Sequence, residues 1–386
     1  IAHRGGHRAN SRDALPDFAR NEGANRVHLG HLYPDLYPTT LLQPIHSHLP
    51  CAGIRGLLGM AESLAATGRV GALAVLAQVS AGVHRERGAL ALLDGDEVVA
   101  GWLRGGTLED RLCQESALVV GEGRARCIGV EAAGDSSHAS VVAAENQGSM
   151  RILLLPLPVQ ASPLREAIAA ACAEGAWLRL RLELGLPPSA DPVVGFGEAR
   201  AGQRIFTFDP QGLPTDAANE FSYQVRLGYA PPPRLALLGA GPESRPLATL
   251  ARQLGWIVEL VDQRVEMRRF IDSFHVDRIH AIAPDALAQL LDTRHFDAAI
   301  VGSHDFELDA SHLRQLGDTG IGYVALLGSP LRRDAMLTRM GDIIATQLEP
   351  RLYAPAGLHL GGEGPEIMAV ASVAQLQRFL AHDVSG

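Results

Sequence analysis

Leu235-Ala-Leu-Leu-Gly239-Ala-Gly241-Pro-Glu-Ser244-Arg245 decides how the second half of the chain is read. An apolar run enters Gly-Ala-Gly, the pattern of a strand turning tightly into a helix in a dinucleotide-binding unit. In that pattern the first glycine makes the turn and the second lets backbone approach a pyrophosphate. The third lets helix and strand pack closely. Gly239 and Gly241 fill the first two positions, and Ser244, small but not glycine, stands near the third. Asp262 ends the next strand, where a ribose-binding acid belongs. Against dinucleotide binding, Pro242 removes one N–H from the loop and Glu243 sets a negative charge near any phosphate. The stretch predicts a Rossmann turn. Whether the turn binds a dinucleotide or only joins strand to helix stays open.

Working outward, strand and helix signals alternate from Arg234 onward, with strands expected at 234–238, 256–262, 278–282, 297–302 and 322–327. That rhythm predicts a doubly wound parallel sheet over 235–386. Tyr229-Ala-Pro-Pro-Pro233-Arg234 precedes it, and three successive prolines make a stiff spacer at 229–234. Residues 56–228 predict a separate α/β domain. A helix is expected around Gly59–Thr67 and a buried strand from Gly71. A hairpin is expected around Asp94-Gly95-Asp96, and a helix over Leu108–Val120. Further strands are expected at Ser149–Leu155 and Leu178–Leu184, and Ser162-Pro163 predicts a capped helix start. Residues 1–55 carry six of the 15 histidines, follow no sustained period and are expected to be an appended, partly disordered segment.

Composition narrows the chemistry. The 386 residues carry 34 basic and 43 acidic side chains, a net charge of −9, which disfavours a nucleic-acid partner. Every basic residue is arginine, so lysine-dependent phosphate binding, Schiff-base chemistry and lysine general bases are excluded. Cys51, Cys113, Cys127 and Cys172 form no C-x-x-C pair and no zinc spacing, as expected for reduced thiols in a cytoplasmic protein. No apolar run is long enough to span a membrane. No G-x-S-x-G elbow or Ser-His-Asp pattern is present.

His304-Asp305 follows Val301-Gly-Ser at a strand's carboxyl end, where α/β folds hold their ligands. His304 there is either a general base or a loop anchor. Gly328-Ser329 ends the next strand, and Arg332 with Arg333 forms either an anion clamp or a solvated first helical turn. Glu363 lies in a Gly-rich loop as a polar contact, while Pro365-Glu366 reads as an ordinary helix start.

Taken together, several stretches resemble the XdhC/CoxI family, the accessory proteins of xanthine dehydrogenase and related molybdenum hydroxylases. They are Leu238-Gly-Ala-Gly241, Val261-Asp262-Gln-Arg264, Ser303-His304-Asp305, Gly322-Tyr-Val-Ala-Leu-Leu-Gly328-Ser329 and Gly357-Leu-His-Leu-Gly361-Gly-Glu363-Gly-Pro-Glu366. In the first half the matching stretch is Val99-Ala-Gly-Trp-Leu-Arg104-Gly105-Gly106-Thr107-Leu-Glu109. The resemblance implies an N-terminal α/β domain and a C-terminal Rossmann domain, assembled as a homodimer. It also implies molybdenum cofactor (molybdopterin) as bound cargo, and an apo molybdenum hydroxylase of the xanthine or CO dehydrogenase type and a cysteine desulfurase as partners. The residues it assigns to the cargo are Gly239, Gly241, Asp262, His304, Asp305, Gly328, Ser329, Arg332, Arg104, Gly105, Gly106, Thr107 and Glu363.

Two departures stand out. The family commonly has Ser-Gly-Gly-Cys where this chain has Arg104-Gly-Gly-Thr107, and often Cys-Gly-Gly where it has Asn146-Gln147-Gly148. Both expected thiols, the soft ligands suited to molybdenum or to receiving sulfur, are replaced. Cys113, just past Thr107 on an expected helix, is either a substitute or a buried structural cysteine. The expected function is cofactor binding, sulfuration support and delivery. The rival is an NAD(P)-dependent oxidoreductase built on Gly239, Gly241 and Asp262, and a third reading is a protein-binding scaffold.

Overall fold

A computed structural model describes residues 53–79, 87–101, 103, 107–131, 149–159, 162–185, 193–208, 222–264, 266 and 271–383. The appended segment expected over 1–55 lies outside them up to residue 52, while 53–55 open a helix.

The first part begins with α1 (Gly53–Ala66), β1 (Gly71–Val79), β2 (Leu90–Leu93), β3 (Val98–Gly101), α2 (Thr107–Glu122), β4 (Arg126–Glu131) and β5 (Ser149–Leu157). It continues with α3 (Pro163–Glu174), β6 (Leu178–Gly185), β7 (Val193–Ala201), β8 (Arg204–Phe208) and β9 (Ser222–Tyr229). Its strands form two sheets, β3-β2-β1-β5-β4 and β8-β7-β6-β9. All pairings in both are antiparallel. Local chemistry accounts for the connections. Asp94 turns the β2–β3 hairpin by accepting the N–H groups of Asp96 and Glu97, each at 3.0 Å, and Gly95 takes φ 100°. Ser162 caps α3 by accepting from Arg165 N, Pro163 stands at its first position, and Gly175 ends it at φ 63°.

The five-stranded sheet is buried on both faces. Ala72, Ala74 and Leu76 of β1 pack with Leu108, Leu112 and Val119 of α2. Leu73 and Val75 face α1, α3 and the inner side of the second sheet. That double burial explains why β1 reads as a continuous apolar run rather than an alternation.

The second part holds β10 (Arg234–Leu238), α4 (Ser244–Gln253), β11 (Ile257–Asp262), α5 (Ile271–Phe274), β12 (Arg278–Ala281) and α6 (Leu287–Thr293). After these come β13 (Ala298–Val301), α7 (Phe306–Gly317), β14 (Tyr323–Leu326), α8 (Pro330–Met340), α9 (Asp342–Leu348), β15 (Leu352–Tyr353) and α10 (Pro365–Asp383). The six strands form one sheet in the order β12-β11-β10-β13-β14-β15, parallel throughout. The five expected strands are all there, and β15 adds an edge that only two residues support. Leu235 and Leu237 pack into the core beneath α4 and α10, while Ala236 and Leu238 pack under α7 and α8. Truncating a fully buried leucine such as Leu237 removes about 2–5 kcal/mol of stability.

The junction carries polar ties. The Arg55 guanidinium bonds the Trp256 carbonyl and the Asp277 carboxylate. Arg234 donates to the Cys172 and Ala173 carbonyls at 3.4 and 3.3 Å, and to Glu259 at 3.2 Å. Glu259, 1% exposed, also holds His280 at 2.6 Å and Arg294. Burial raises its carboxyl pKa, but these partners outweigh burial and hold it below the ordinary range. Among the described residues, no helix is long and apolar enough to cross a membrane.

Candidate functional site

In the parallel sheet, β10 crosses to β11 on one side, and β13 begins the other. The crevice outside the carboxyl ends of β10 and β13 is therefore the switch point, where open α/β sheets hold ligands. Gly239, Ser303 and Gly328 follow the ends of β10, β13 and β14 there. Backbone bonds stitch the strand ends together: Gly239 N to Val261 O, Gly302 N to Leu238 O and Leu327 N to Val301 O, each 2.9 Å.

Gly239 is required by this packing. Its φ is 108°, and a Cβ there would stand 2.4 Å from Ser303 Cα. Gly241 has no positive φ; a Cβ on it would instead meet His304 Nε2 at 2.8 Å. Ser244 has a role that a third glycine could not perform, donating its hydroxyl to the Gly239 carbonyl at 2.8 Å while 5% exposed. The turn is thus pinned by the helix it leads into.

Asp262 fastens the same turn from β11. Its Oδ2 accepts Ala240 N at 3.0 Å and an Arg264 guanidinium N–H at 2.9 Å; its Oδ1 accepts Arg264 N and Nε at 2.9 and 2.8 Å. Burial raises this carboxyl, yet the bonds from Arg264 and Ala240 prevail and hold it below the ordinary aspartate value. A ribose diol would have to displace Arg264 from a carboxylate that already accepts four bonds.

On the other side of the crevice, Ser303 and Arg332 are joined through a buried acid. Asp309, fully buried, accepts Ser303 N and Oγ at 2.9 and 2.6 Å, and the Arg332 guanidinium at 2.7 Å. Arg332 also lies 5.7 Å from the Phe306 ring centroid. His304 takes φ 64° and bonds Glu243 at 2.9 Å, bridging the β13 and β10 loops. Asp305 caps α7 through Leu308 N at 2.9 Å, and Ser329 caps α8 through Arg332 N at 3.2 Å. Three helices thus begin around one polar, glycine-built crevice.

The expected residues divide by position. Gly239, Gly241, Asp262, His304, Asp305, Gly328, Ser329 and Arg332 share the crevice. Glu363 is exposed in the loop before α10 and bonds none of these groups. Thr107 opens α2 in the antiparallel part, and Arg104, Gly105, Gly106 and Asn146 lie outside the described residues. Cys113, on α2, packs beside the core that this helix covers. Burial, reinforced by Asp110 and Glu109, raises its pKa and keeps it a thiol. Asp309 was not singled out from sequence, though its signal is there. It occupies a core-facing position among Phe306, Ala310 and Leu313, where an unpaired carboxylate is not tolerated.

Fold and crevice together define an α/β protein whose C-terminal half is a Rossmann domain with a ligand-type switch point. Residues 235–376 match the XdhC Rossmann domain. A protein of Bacillus subtilis described as a probable xanthine dehydrogenase component is 32% identical over 146 residues, 38% of this chain and 42% of that protein. The uncharacterized protein YqeB of Escherichia coli is 27% identical over 146 residues, 37% of this chain and 27% of its own length. The chain therefore spans less than half of either curated relative. A xanthine dehydrogenase from Bacillus halodurans shares the fold, with a TM-score of 0.64 at 24% identity, covering 86% of this chain and 96% of that one.

Proposed function

We propose that the chain is an accessory protein of a xanthine dehydrogenase-type molybdenum hydroxylase, binding molybdenum cofactor as cargo at the switch-point crevice and delivering it to the apo-enzyme. The observation that carries this reading is the convergence, within an XdhC Rossmann domain, of the Gly239–Gly241 turn with the starts of α7 and α8. The cargo's phosphate is an anion, and helix N-termini favour anions through their N–H groups and dipoles. Its pterin is flat and polar, and the backbone and hydroxyl groups of Ser303–Asp305 and Ser329 offer complementary hydrogen bonds.

The donor set suits the organic part of the cargo. Among the described residues no group of three or more His, Cys, Asp or Glu could hold a metal ion, and threonine stands at position 107. In this reading the metal stays with the cargo's own sulfur atoms, and the chain binds, orients and shields. Sulfuration would draw on a partner such as a cysteine desulfurase, since Cys113 is held as a thiol. A homodimer acting in the cytoplasm completes the proposal.

The test is to purify the protein from cells able to make the cofactor, then measure released oxidised pterin by fluorescence and molybdenum by mass spectrometry. Co-purification of both is expected. Absence of both, with a thermal shift on adding NADH, would replace this reading with the oxidoreductase, against which the four bonds already made by Asp262 stand.

A further inference from the structure

Two side chains of the crevice bond each other in the place where a ligand would come to rest. In the dinucleotide fold the second glycine is bare so that a phosphate can approach its backbone. Gly241 is bare in the same way, but the space above it is filled. A Cβ built there would stand 2.8 Å from His304 Nε2, 2.9 Å from His304 Cδ2 and 3.0 Å from Glu243 Oε2. Nε2 and Oε2 are bonded to each other at 2.9 Å. The seat over Gly241 is thus occupied by a carboxylate of the chain itself, with an imidazole as its partner.

Among the described residues the Glu243 carboxylate bonds His304 alone. Glu243 stands at the N-cap of α4, yet its side chain makes no capping bond there. His304 takes φ 64°, a left-handed backbone that a residue with a Cβ keeps only where its surroundings hold it. Its neighbours are fixed, Ser303 by Asp309 and Asp305 as the cap of α7. The loop is therefore pinned on either side of a His304 side chain that is 55% exposed, and movement at this point falls on the two side chains. An anion entering with Glu243 in place would bring two like charges together. One that replaces the carboxylate inherits both the bond to His304 and the bare backbone of Gly241.

We infer that Glu243 and His304 form a latch over Gly241, opened when a phosphate group of the ligand takes the place of the Glu243 carboxylate against His304. The inference rests on the reading of the crevice as the ligand site, and adds to it that Glu243 limits the negative charge the crevice admits.

The test uses the full chain, with inorganic pyrophosphate and NADH as probes in isothermal titration calorimetry and pterin content read on the same preparations. Glu243→Gln keeps the side-chain length and a hydrogen bond to His304 but removes the charge, and is expected to leave the melting temperature unchanged. Its affinity for pyrophosphate is expected to rise by about tenfold or more, a part of the repulsion between two unit charges at this range. Adding His304→Asn, whose side chain tolerates a left-handed backbone, is expected to cancel the gain. Glu307→Gln removes the same charge from α7, where Glu307 pairs with Arg339 outside the seat, and is expected to leave affinity unchanged. A gain for pyrophosphate without one for NADH supports the latch and assigns the seat to a phosphate ester such as the cargo carries, since Asp262 stays closed to a ribose. An equal gain for NADH supports the latch and assigns the seat to a dinucleotide. Equal or weaker pyrophosphate binding by Glu243→Gln overturns the inference, as does absence of binding by both proteins. A gain that survives the loss of His304, or that Glu307→Gln reproduces, overturns it too. Pterin in the unmodified chain with no gain for pyrophosphate sinks the latch alone, and a gain in a protein without pterin sinks the cofactor reading alone.

Discussion

Asp309 holds Ser303 Oγ at 2.6 Å with one carboxylate oxygen and Arg332 at 2.7 Å with the other. Two strand ends of the crevice are therefore joined by a single fully buried charge. Asp309→Ala strands Arg332 and leaves the Ser303 N–H unsatisfied. It is expected to lower unfolding free energy by about 3–5 kcal/mol, the range for breaking a buried ion pair from one side. Urea denaturation measures this, with Ser303→Ala, which removes one bond, expected to cost about 1 kcal/mol.

Gly239 and Gly241 are expected to respond differently to the same methyl group. Gly239→Ala must abandon φ 108° or push against Ser303 backbone, and is expected to destabilise by about 2 kcal/mol or more. Gly241→Ala meets only the His304 ring and the Glu243 carboxylate, which can swing aside. It is expected to fold nearly normally while retaining less pterin. Denaturation midpoints and pterin fluorescence, measured on both variants, separate the two roles.

Two groups give stability a pH dependence in separate windows. His312 is 3% exposed, and burial, opposed by Asp309 and Asp262, lowers its pKa. A depressed folded-state pKa means that the unfolded chain takes up the proton more readily. The stability is therefore present above about pH 6.5 and is lost as pH falls through the folded value. Asp262 follows the same sign around a lower reference, its contribution present above about pH 3.9 and lost further into acid. His312→Gln is expected to flatten the upper window and Asp262→Asn to shrink the lower one, which Glu259 shares, both read from denaturation midpoints across pH.

Thr107→Cys introduces a thiol at the position where the resemblance to the XdhC/CoxI family leads one to expect it. An increased amount of pterin and molybdenum per chain after purification is the expected outcome. No change would separate Thr107 from the cargo.

Much of the Rossmann half was legible because its signals are local. Buried parallel strands are short apolar runs, and Gly239, Ser329 and Asp305 mark turns and caps whose backbone demands are set within a few residues. What sequence could not supply was partnership. Asp262 reads as a ribose acid because of where it falls, but its bonds go to Ala240 and Arg264. The sequence places Asp309 on a core-facing position, but its partners, Ser303 in the loop after β13 and Arg332 on α8, appear only in the fold. Beyond the β2–β3 hairpin that Asp94-Gly95-Asp96 marks, the antiparallel pairing of the first half was hidden, since apolar runs such as β1 do not announce the direction of their neighbours.

The ties on Arg234 have a geometric consequence. One end of β10 is held by the Cys172 and Ala173 carbonyls, by Glu259 and by Asp297, whose carboxylate accepts Arg234 N at 2.7 Å. The other end becomes Gly239, one residue beyond a strand of 5 residues. β11 and β13 flank β10 on both sides, so the residues that grip Arg234 and the glycine turn lie at opposite ends of one doubly paired strand.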